Sequence, residues 1–113
     1  MKIIFFILIF LISLNAGWDK GNTFVEYTKE LKKDTSDKSV KWLQYGLAGG
    51  YVSGIRDMLI DAEYICIPKG VTTMQIDAIV LKYIDENPNK WHESASFLVW
   101  TPLIESYPCK KKK

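Results

Sequence analysis

The stretch "ICIPKGVTTMQID", residues 65–77, contains the turn and helix start from which the fold can be read in both directions. Pro68 and Gly70 predict a turn, because proline restricts the backbone and glycine tolerates conformations that other residues avoid. Thr72 and Gln75 have the spacing of a capping box, in which each side chain accepts a hydrogen bond from the other residue's backbone N–H. The stretch therefore predicts a turn followed directly by a helix.

Four segments have apolar residues at spacings of three and four, which favour helices. In chain order, their apolar faces are Phe24, Tyr27 and Leu31; Val40, Leu43, Leu47, Tyr51, Ile55, Met58 and Leu59; Ile76, Ile79, Val80, Tyr83 and Ile84; and Ala95, Leu98, Val99, Leu103 and Tyr107. Pro102 removes a backbone hydrogen bond, so it either bends or interrupts the last helix. The predicted fold class is all-α, a compact bundle of about four helices in one domain.

The second segment is predicted to be a long buried helix, although its tyrosine, valine and isoleucine content would also suit a strand. Its spacing follows three and four rather than two, which favours the helix. Gly46, Gly50 and Gly54 recur on one face, and each glycine weakens a helix by about 1 kcal/mol relative to alanine. We therefore expect another backbone to pack closely against this face.

Residues 1–16 have a lysine, then an apolar run, then small and polar residues ending at Ala16, the order found in a secretory signal peptide. A membrane anchor is the alternative, but the run is shorter than the roughly 20 apolar residues that cross a bilayer. We expect a signal peptide at 1–16, a helical domain at 17–109 and a disordered lysine tail at 110–113. Such a protein would have no stable membrane insertion after cleavage.

The positive charge of the chain comes from its end. The whole sequence carries 15 basic and 13 acidic residues, but residues 17–109 alone have 10 basic and 13 acidic ones. A run of lysines at a terminus is typical of a solvated end, with contact to an anionic surface as the alternative. The charge therefore does not indicate a nucleic-acid partner.

The two cysteines, Cys66 and Cys109, are expected to form a disulfide, because exported thiols meet oxidising conditions. This bond would join the turn before the third helix to the end of the fourth. A redox-active pair is the alternative, but the Cys-x-x-Cys spacing is missing. With His92 as the one histidine, we expect no metal site and no cofactor.

Catalytic motifs are missing from the sequence. The serines lack a Gly-x-Ser-x-Gly context, and the glycine-rich segment has no phosphate-loop lysine. His92 beside Glu93 is more typical of a cap or surface contact than of a general base. We therefore expect a protein that binds rather than an enzyme, with a small hydrolase as the alternative and no catalytic residues assigned.

Three segments resemble the Tai/Rap family of immunity proteins, which accompany type VI secretion amidase effectors. They are "GGYVSGIRD" at 49–57, "CIPKGVTTMQIDAIVLKYIDENPNKWHESASFLV" at 66–99 and "YPC" at 107–109. The resemblance covers more than half of the chain after the signal peptide. It departs from the family at Ala48, where many members carry a cysteine that pairs with one in the first helix.

The resemblance implies a periplasmic, all-helical protein that binds a cell-wall amidase effector and blocks its active site. It also implies a homodimer as an option, because some members act as dimers. The matching positions are Cys66 and Cys109 for a disulfide, Gly50, Tyr51 and Gly54 for helix packing, and Pro68, Gly70, Thr72 and Gln75 for the turn and cap. The resemblance implies structural roles for all of these.

One segment of the sequence is a candidate for contact with a partner. The connection from Asn87 to Glu93 is a candidate, with Lys90 and His92 in it and Trp91 as an aromatic anchor. In the alternative, Trp91 and His92 pack against the region of the disulfide. The competing function is an envelope or secreted accessory protein with the same fold and no toxin partner.

Overall fold

The computed structural model describes residues 21–110, which form four α-helices and one short 3₁₀ helix. The helices are α1 (Gly21–Leu31), α2 (Trp42–Asp61), α3 (Thr73–Glu86), the 3₁₀ helix (Pro88–Lys90) and α4 (Ala95–Ser106). Within this part of the chain the only β-type pairing is an isolated bridge between Ile65 and Pro108. The predicted all-α bundle is confirmed, whereas the predicted signal peptide and Lys111 to Lys113 lie outside the described residues.

Side-chain caps explain where α3 and α4 begin. The Thr72 hydroxyl accepts the Gln75 N–H at 3.2 Å, and the Gln75 side chain accepts the Thr72 N–H at 2.7 Å. This is the capping box that residues 65–77 predict. At α4, the Ser94 hydroxyl accepts the Phe97 N–H at 3.2 Å. Both helices therefore start where a side chain satisfies an otherwise unpaired backbone donor.

The core lies where the apolar faces of all four helices meet. The most extensive pairings are α1 with α2 and α3 with α4, and α4 also packs against α1 and α2. The largest fully buried side chains include Phe24, Val52, Ile76, Ile84, Leu98 and Leu103. Burial of this apolar surface is the main source of stability in such a bundle.

Pro102 is buried within α4, and the helix continues through it to Ser106. The alternative that the proline interrupts the helix is therefore wrong. A proline interior to a helix lacks one backbone hydrogen bond. Burial of its ring removes apolar surface from solvent.

A disulfide joins Cys66 to Cys109 across a sequence separation of 43 residues, as predicted. The Cys66 N–H also donates to the Tyr107 carbonyl oxygen at 2.9 Å. Neighbouring Ile65 is buried and pairs with Pro108. The end of α4 is thus held against the turn that leads into α3.

The predicted buried face of α2 is wrong in part. Leu43 is 77% exposed, and Leu47 and Met58 are also exposed, whereas Ala48, Val52 and Leu59 are the buried residues of this helix. The reason is that α2 is apolar around most of its circumference, so spacing alone does not select the face that meets α1 and α4.

The prediction that another backbone packs closely against the glycines of α2 is also wrong for residues 21–110. A Cβ atom built on Gly46, Gly50 or Gly54 would have no described atom within 4 Å. These glycines lie on the side of α2 that faces away from the core. Their small size is therefore not required by packing inside the bundle.

Candidate partner-binding surfaces

The connection between α3 and α4 is held by short-range hydrogen bonds. The Asn87 side-chain amide donates to the Tyr83 carbonyl oxygen at 2.8 Å, and the Lys90 N–H donates to the Asn87 carbonyl oxygen at 2.9 Å. The Glu93 N–H in turn donates to the Lys90 carbonyl oxygen. This chain of contacts gives the connection a defined shape at the end of α3.

Trp91, the candidate anchor, is directed inward. Its Nε1–H donates to the Ile84 carbonyl oxygen at 2.7 Å, and its ring packs partly buried against the core. The carbonyl oxygens of Trp91 and Glu93 lie beside Gly21, whose N–H donates to Glu93 at 2.8 Å. Trp91 therefore joins the connection to α3 and α1.

His92 is the outward-facing member of the same segment. Its side chain is 72% exposed, and its Nε2 atom lies 3.6 Å from the Glu93 carboxylate. Pro88 and Asn89 are exposed as well. The surface that the connection offers to a partner therefore consists of Pro88, Asn89 and His92 rather than the tryptophan.

The outer face of α2 is a second surface, and the sequence analysis did not identify it. It consists of Trp42, Leu43, Gly46, Leu47, Gly50, Gly54 and Met58, all exposed. No charged residue occurs between positions 42 and 55. The absence of charge over these positions could have indicated this surface from the sequence, because a helix that is apolar on all sides is normally covered by other structure on all sides.

Tyr51 links α2 to the core from the edge of this outer face. Its ring lies 5.3 Å from the Phe24 ring of α1, between centroids. Burial raises the pKa of its hydroxyl, against an opposing hydrogen bond with Ser96 of α4. Gly50, Tyr51 and Gly54 are the predicted helix-packing residues. Of these, Tyr51 therefore packs inward, whereas Gly50 and Gly54 are exposed.

The turn residues have a backbone role. Gly70 has a φ of 91°, in the left-handed region that favours glycine. Pro68 precedes it, and the capping box of α3 follows. Cys66, just before this turn, is not a free thiol, because both cysteines of the chain are in the disulfide.

A buried carboxylate fixes the link between α1 and α2. Glu30 accepts the Lys41 N–H at 3.0 Å and pairs with the Lys33 ammonium at 2.9 Å. The Lys41 N–H, and then the Lys33 ammonium, hold the pKa of Glu30 below its ordinary value. Because the Glu30 carboxylate is hydrogen-bonded and ion-paired, it holds the start of α2 in place. We therefore assign this cluster a structural role rather than a catalytic one.

Neither a metal centre nor a membrane span is formed by residues 21–110. No three histidine, cysteine, aspartate or glutamate side chains in this range are grouped so that they could hold a metal ion. Over the same range, no helix has both the length and the apolar character to cross a bilayer.

The family model for the Rap1a immunity proteins matches residues 20–109 of the sequence, a range that includes every helix described above. The chain belongs to the Rap1a immunity protein family. No curated protein and no solved structure shows a significant match. Membership supports an immunity role, in which the protein neutralises an effector.

Proposed function

We propose that this Rap1a-family protein is a periplasmic immunity protein that binds a type VI secretion peptidoglycan amidase and occludes its active-site groove. The observation that carries the proposal is the family match over residues 20–109. The amidase as target comes from the resemblance to the Tai/Rap proteins. No reaction is required of the immunity protein, because a stable surface that fills the groove is sufficient.

Two features of the chain support the periplasmic part of the proposal. The Cys66–Cys109 disulfide suits an oxidising compartment. Residues 1–16 have the composition of a signal peptide that would deliver the domain there. The effector would cleave peptidoglycan in the same compartment, so inhibitor and target would meet.

Two exposed surfaces support binding to a protein. The connection presents Pro88, Asn89 and His92 beside a tryptophan that holds it in shape. The outer face of α2 presents Leu43, Leu47 and other apolar groups without charge. Large exposed apolar patches on small proteins commonly mark protein interaction sites. We propose that the effector covers at least one of them, with a second copy of the chain as the alternative occupant of α2.

The proposal can be tested with the amidase that the oxidised domain captures from the secreted fraction of its own source cells. That amidase is directed to the periplasm of indicator cells, which express either the full chain or a variant lacking residues 1–16. Survival with the full chain and lysis with the truncated one support a periplasmic immunity protein. The purified domain should also stop peptidoglycan hydrolysis at a one-to-one ratio.

Two results would contradict the proposal. Lysis with both forms, although immunoblots show equal amounts of protein, would remove the immunity role toward this amidase. Survival with both forms would remove the periplasmic site of action. As a control, an unrelated periplasm-directed hydrolase should kill cells that express either form.

A further inference from the structure

An open cleft of about 490 Å³ lies where the end of α1, the start of α2 and the first half of α3 meet. Its apolar walls are formed by Leu31, Tyr45, Met74 and Leu81, and its carboxylates by Asp34 and Asp77. We call it the Asp77 cleft. A volume of this size is within the range of sites that hold a small group or a long side chain.

Asp77 is the unusual member of the cleft. Its Oδ1 atom is buried and accepts no hydrogen bond from any residue between 21 and 110. Burial raises the pKa of this carboxyl, and Arg56 only partly opposes the effect. Arg56 directs its guanidinium elsewhere, to Asp57 at 3.0 Å and Thr73 at 3.4 Å. Because buried polar atoms in proteins are nearly always paired, an unpaired carboxylate oxygen needs an explanation.

The remaining charges of the cleft do not neutralise Asp77. Lys33 is the cation of the lining, but its ammonium is held by Glu30 at 2.9 Å and by the Ser39 carbonyl oxygen at 3.3 Å. Asp34 accepts hydrogen bonds from the backbone and hydroxyl of Ser36, which hold its pKa below the ordinary value. The cleft therefore has an excess of negative charge.

The rim of the cleft is apolar and accessible. Met74 is 82% exposed, and Tyr45 is packed edge-on against the exposed Trp42, with 5.4 Å between ring centroids. An aliphatic chain can lie against Met74 and Leu81, and a cation can lie against the face of Tyr45. Lysine and arginine side chains have both features, a long apolar stem and a cationic head.

We propose that the Asp77 cleft receives a basic side chain, lysine or arginine, of the effector that the protein neutralises. The inference rests on the proposed function for the identity of the partner. Its chemistry rests on the cleft itself: a half-buried carboxyl with one unpaired oxygen, a net negative lining, and apolar walls that match the stem of such a side chain. Asp77 then destabilises the free protein and is compensated in the complex.

The first test compares Asp77→Asn with Asp85→Asn for binding to the captured amidase by calorimetry. Both variants remove one carboxylate from α3, but Asp85 is exposed, pairs with Lys32 and is not part of the cleft lining. We expect Asp77→Asn to weaken binding at least about 30-fold, as for other interfacial charge pairs that lose one partner. We expect Asp85→Asn to change it less than about 3-fold. Equal affinity for the two variants would overturn the inference.

The melting temperature distinguishes loss of a binding group from loss of the fold. Asparagine has the shape of aspartate without its charge, so Asp77→Asn should unfold at the same temperature as the natural protein or at a higher one. A weaker complex from an equally stable variant supports the cleft as a binding site. A fall in both properties would assign Asp77 a structural role and overturn the inference.

A second test needs no effector. The ¹⁵N-labelled oxidised domain, residues 17–113, is titrated in NMR experiments with the amides of acetyl-lysine, acetyl-arginine and acetyl-norleucine. We expect saturable shifts at Tyr45, Met74 and Asp77 with the two cationic probes, which norleucine and the Asp77→Asn variant should not show. Failure of both cations to shift these signals would overturn the inference.

The two tests keep the proposals separate. If the natural protein protects cells and Asp77→Asn binds the amidase equally well, the immunity function stands and the cleft inference is lost. If the natural protein fails to protect while both cationic probes bind at the cleft, the immunity function is lost. The cleft would then remain a site for basic side chains.

Discussion

Gly21 and Gly50 are both glycines in helices, but their surroundings differ. A Cβ atom on Gly21 would lie 2.6 Å from Leu98 Cδ1 and 2.7 Å from the Trp91 carbonyl oxygen, and closer still to the Glu93 carbonyl oxygen. A Cβ atom on Gly50 would have no described atom within 4 Å. The first glycine is required by packing, whereas the second one is not.

We therefore expect opposite effects of alanine at these two positions. Gly50→Ala should raise the free energy of unfolding by about 1 kcal/mol, because alanine favours the helix and meets no neighbour. Gly21→Ala should lower it by about 1–3 kcal/mol through overpacking. Urea unfolding followed by circular dichroism measures both. Destabilisation by Gly50→Ala would show that α2 is packed on its outer face.

The pH dependence of stability should reveal the half-buried carboxyl of Asp77. Its pKa in the folded protein is raised above the ordinary aspartate value of 3.8, so the neutral form stabilises the fold. That contribution is complete below pH 3.8 and is lost as the pH rises through the folded-state pKa. The advantage of Asp77→Asn over the natural protein should therefore increase from pH 3.5 to pH 7.

The measurement is urea unfolding of both proteins across this pH range. Asp34 and Asp37 have lowered pKa values and act in the opposite direction, losing their contribution as the pH falls. Both proteins retain these two carboxylates, so their effect cancels in the difference. A difference that shrank with rising pH would contradict the burial of an unpaired charge at Asp77.

Among the structural elements, the C-terminal half depends on the disulfide. A covalent link across 43 residues restricts the unfolded chain, which corresponds to roughly 4 kcal/mol on the chain-entropy argument. The double variant Cys66→Ser with Cys109→Ser should lose a similar amount in urea unfolding. Reduction of the natural protein should produce the same loss. If neither treatment lowers the free energy of unfolding, the disulfide does not have this role.

The connection between α3 and α4 should depend on Trp91 for its shape. Trp91→Phe removes the hydrogen bond from Nε1 to the Ile84 carbonyl oxygen, so the unfolding free energy should fall by about 1–2 kcal/mol. His92→Ala, at an exposed neighbour, should change it by less than about 0.5 kcal/mol. Equal effects of the two substitutions, measured by thermal or urea unfolding, would contradict the inward role of Trp91.

For the whole molecule, the outer face of α2 is expected to be an interaction surface. Leu47→Glu places a charge on this face, where the leucine is 45% exposed. Ile104→Glu, at a site on α4 that is 39% exposed, is a matched control on another helix. Leu47→Glu should weaken binding of the amidase, or self-association in light scattering, without a comparable change in unfolding.

The control should retain partner binding and oligomeric state. If both glutamate variants behave like the natural protein, the outer face of α2 is not used for association. If both lose binding and unfold more easily, the effect is on the fold. The pair therefore separates a binding surface from general loss of structure.

Local signals explain which parts of the fold the sequence predicts. The start of α3 follows from Thr72 and Gln75, since a capping box involves residues three positions apart. The helical segments follow from their spacing, and the disulfide follows from the expected export and the single possible pairing of Cys66 with Cys109. Each of these inferences depends on short-range hydrogen bonding or on covalent chemistry that composition already limits.

By itself, the sequence determined the four helices, the turn before α3 and the covalent link to the end of α4. The tertiary structure decided which side of α2 meets the core, where Trp91 points, and that the Asp77 Oδ1 atom has no hydrogen-bond partner among residues 21–110. The physical reason is that α2 is apolar on several sides, so its burial depends on the shapes of α1 and α4. The environment of Asp77 likewise depends on groups from three helices that are distant in the chain.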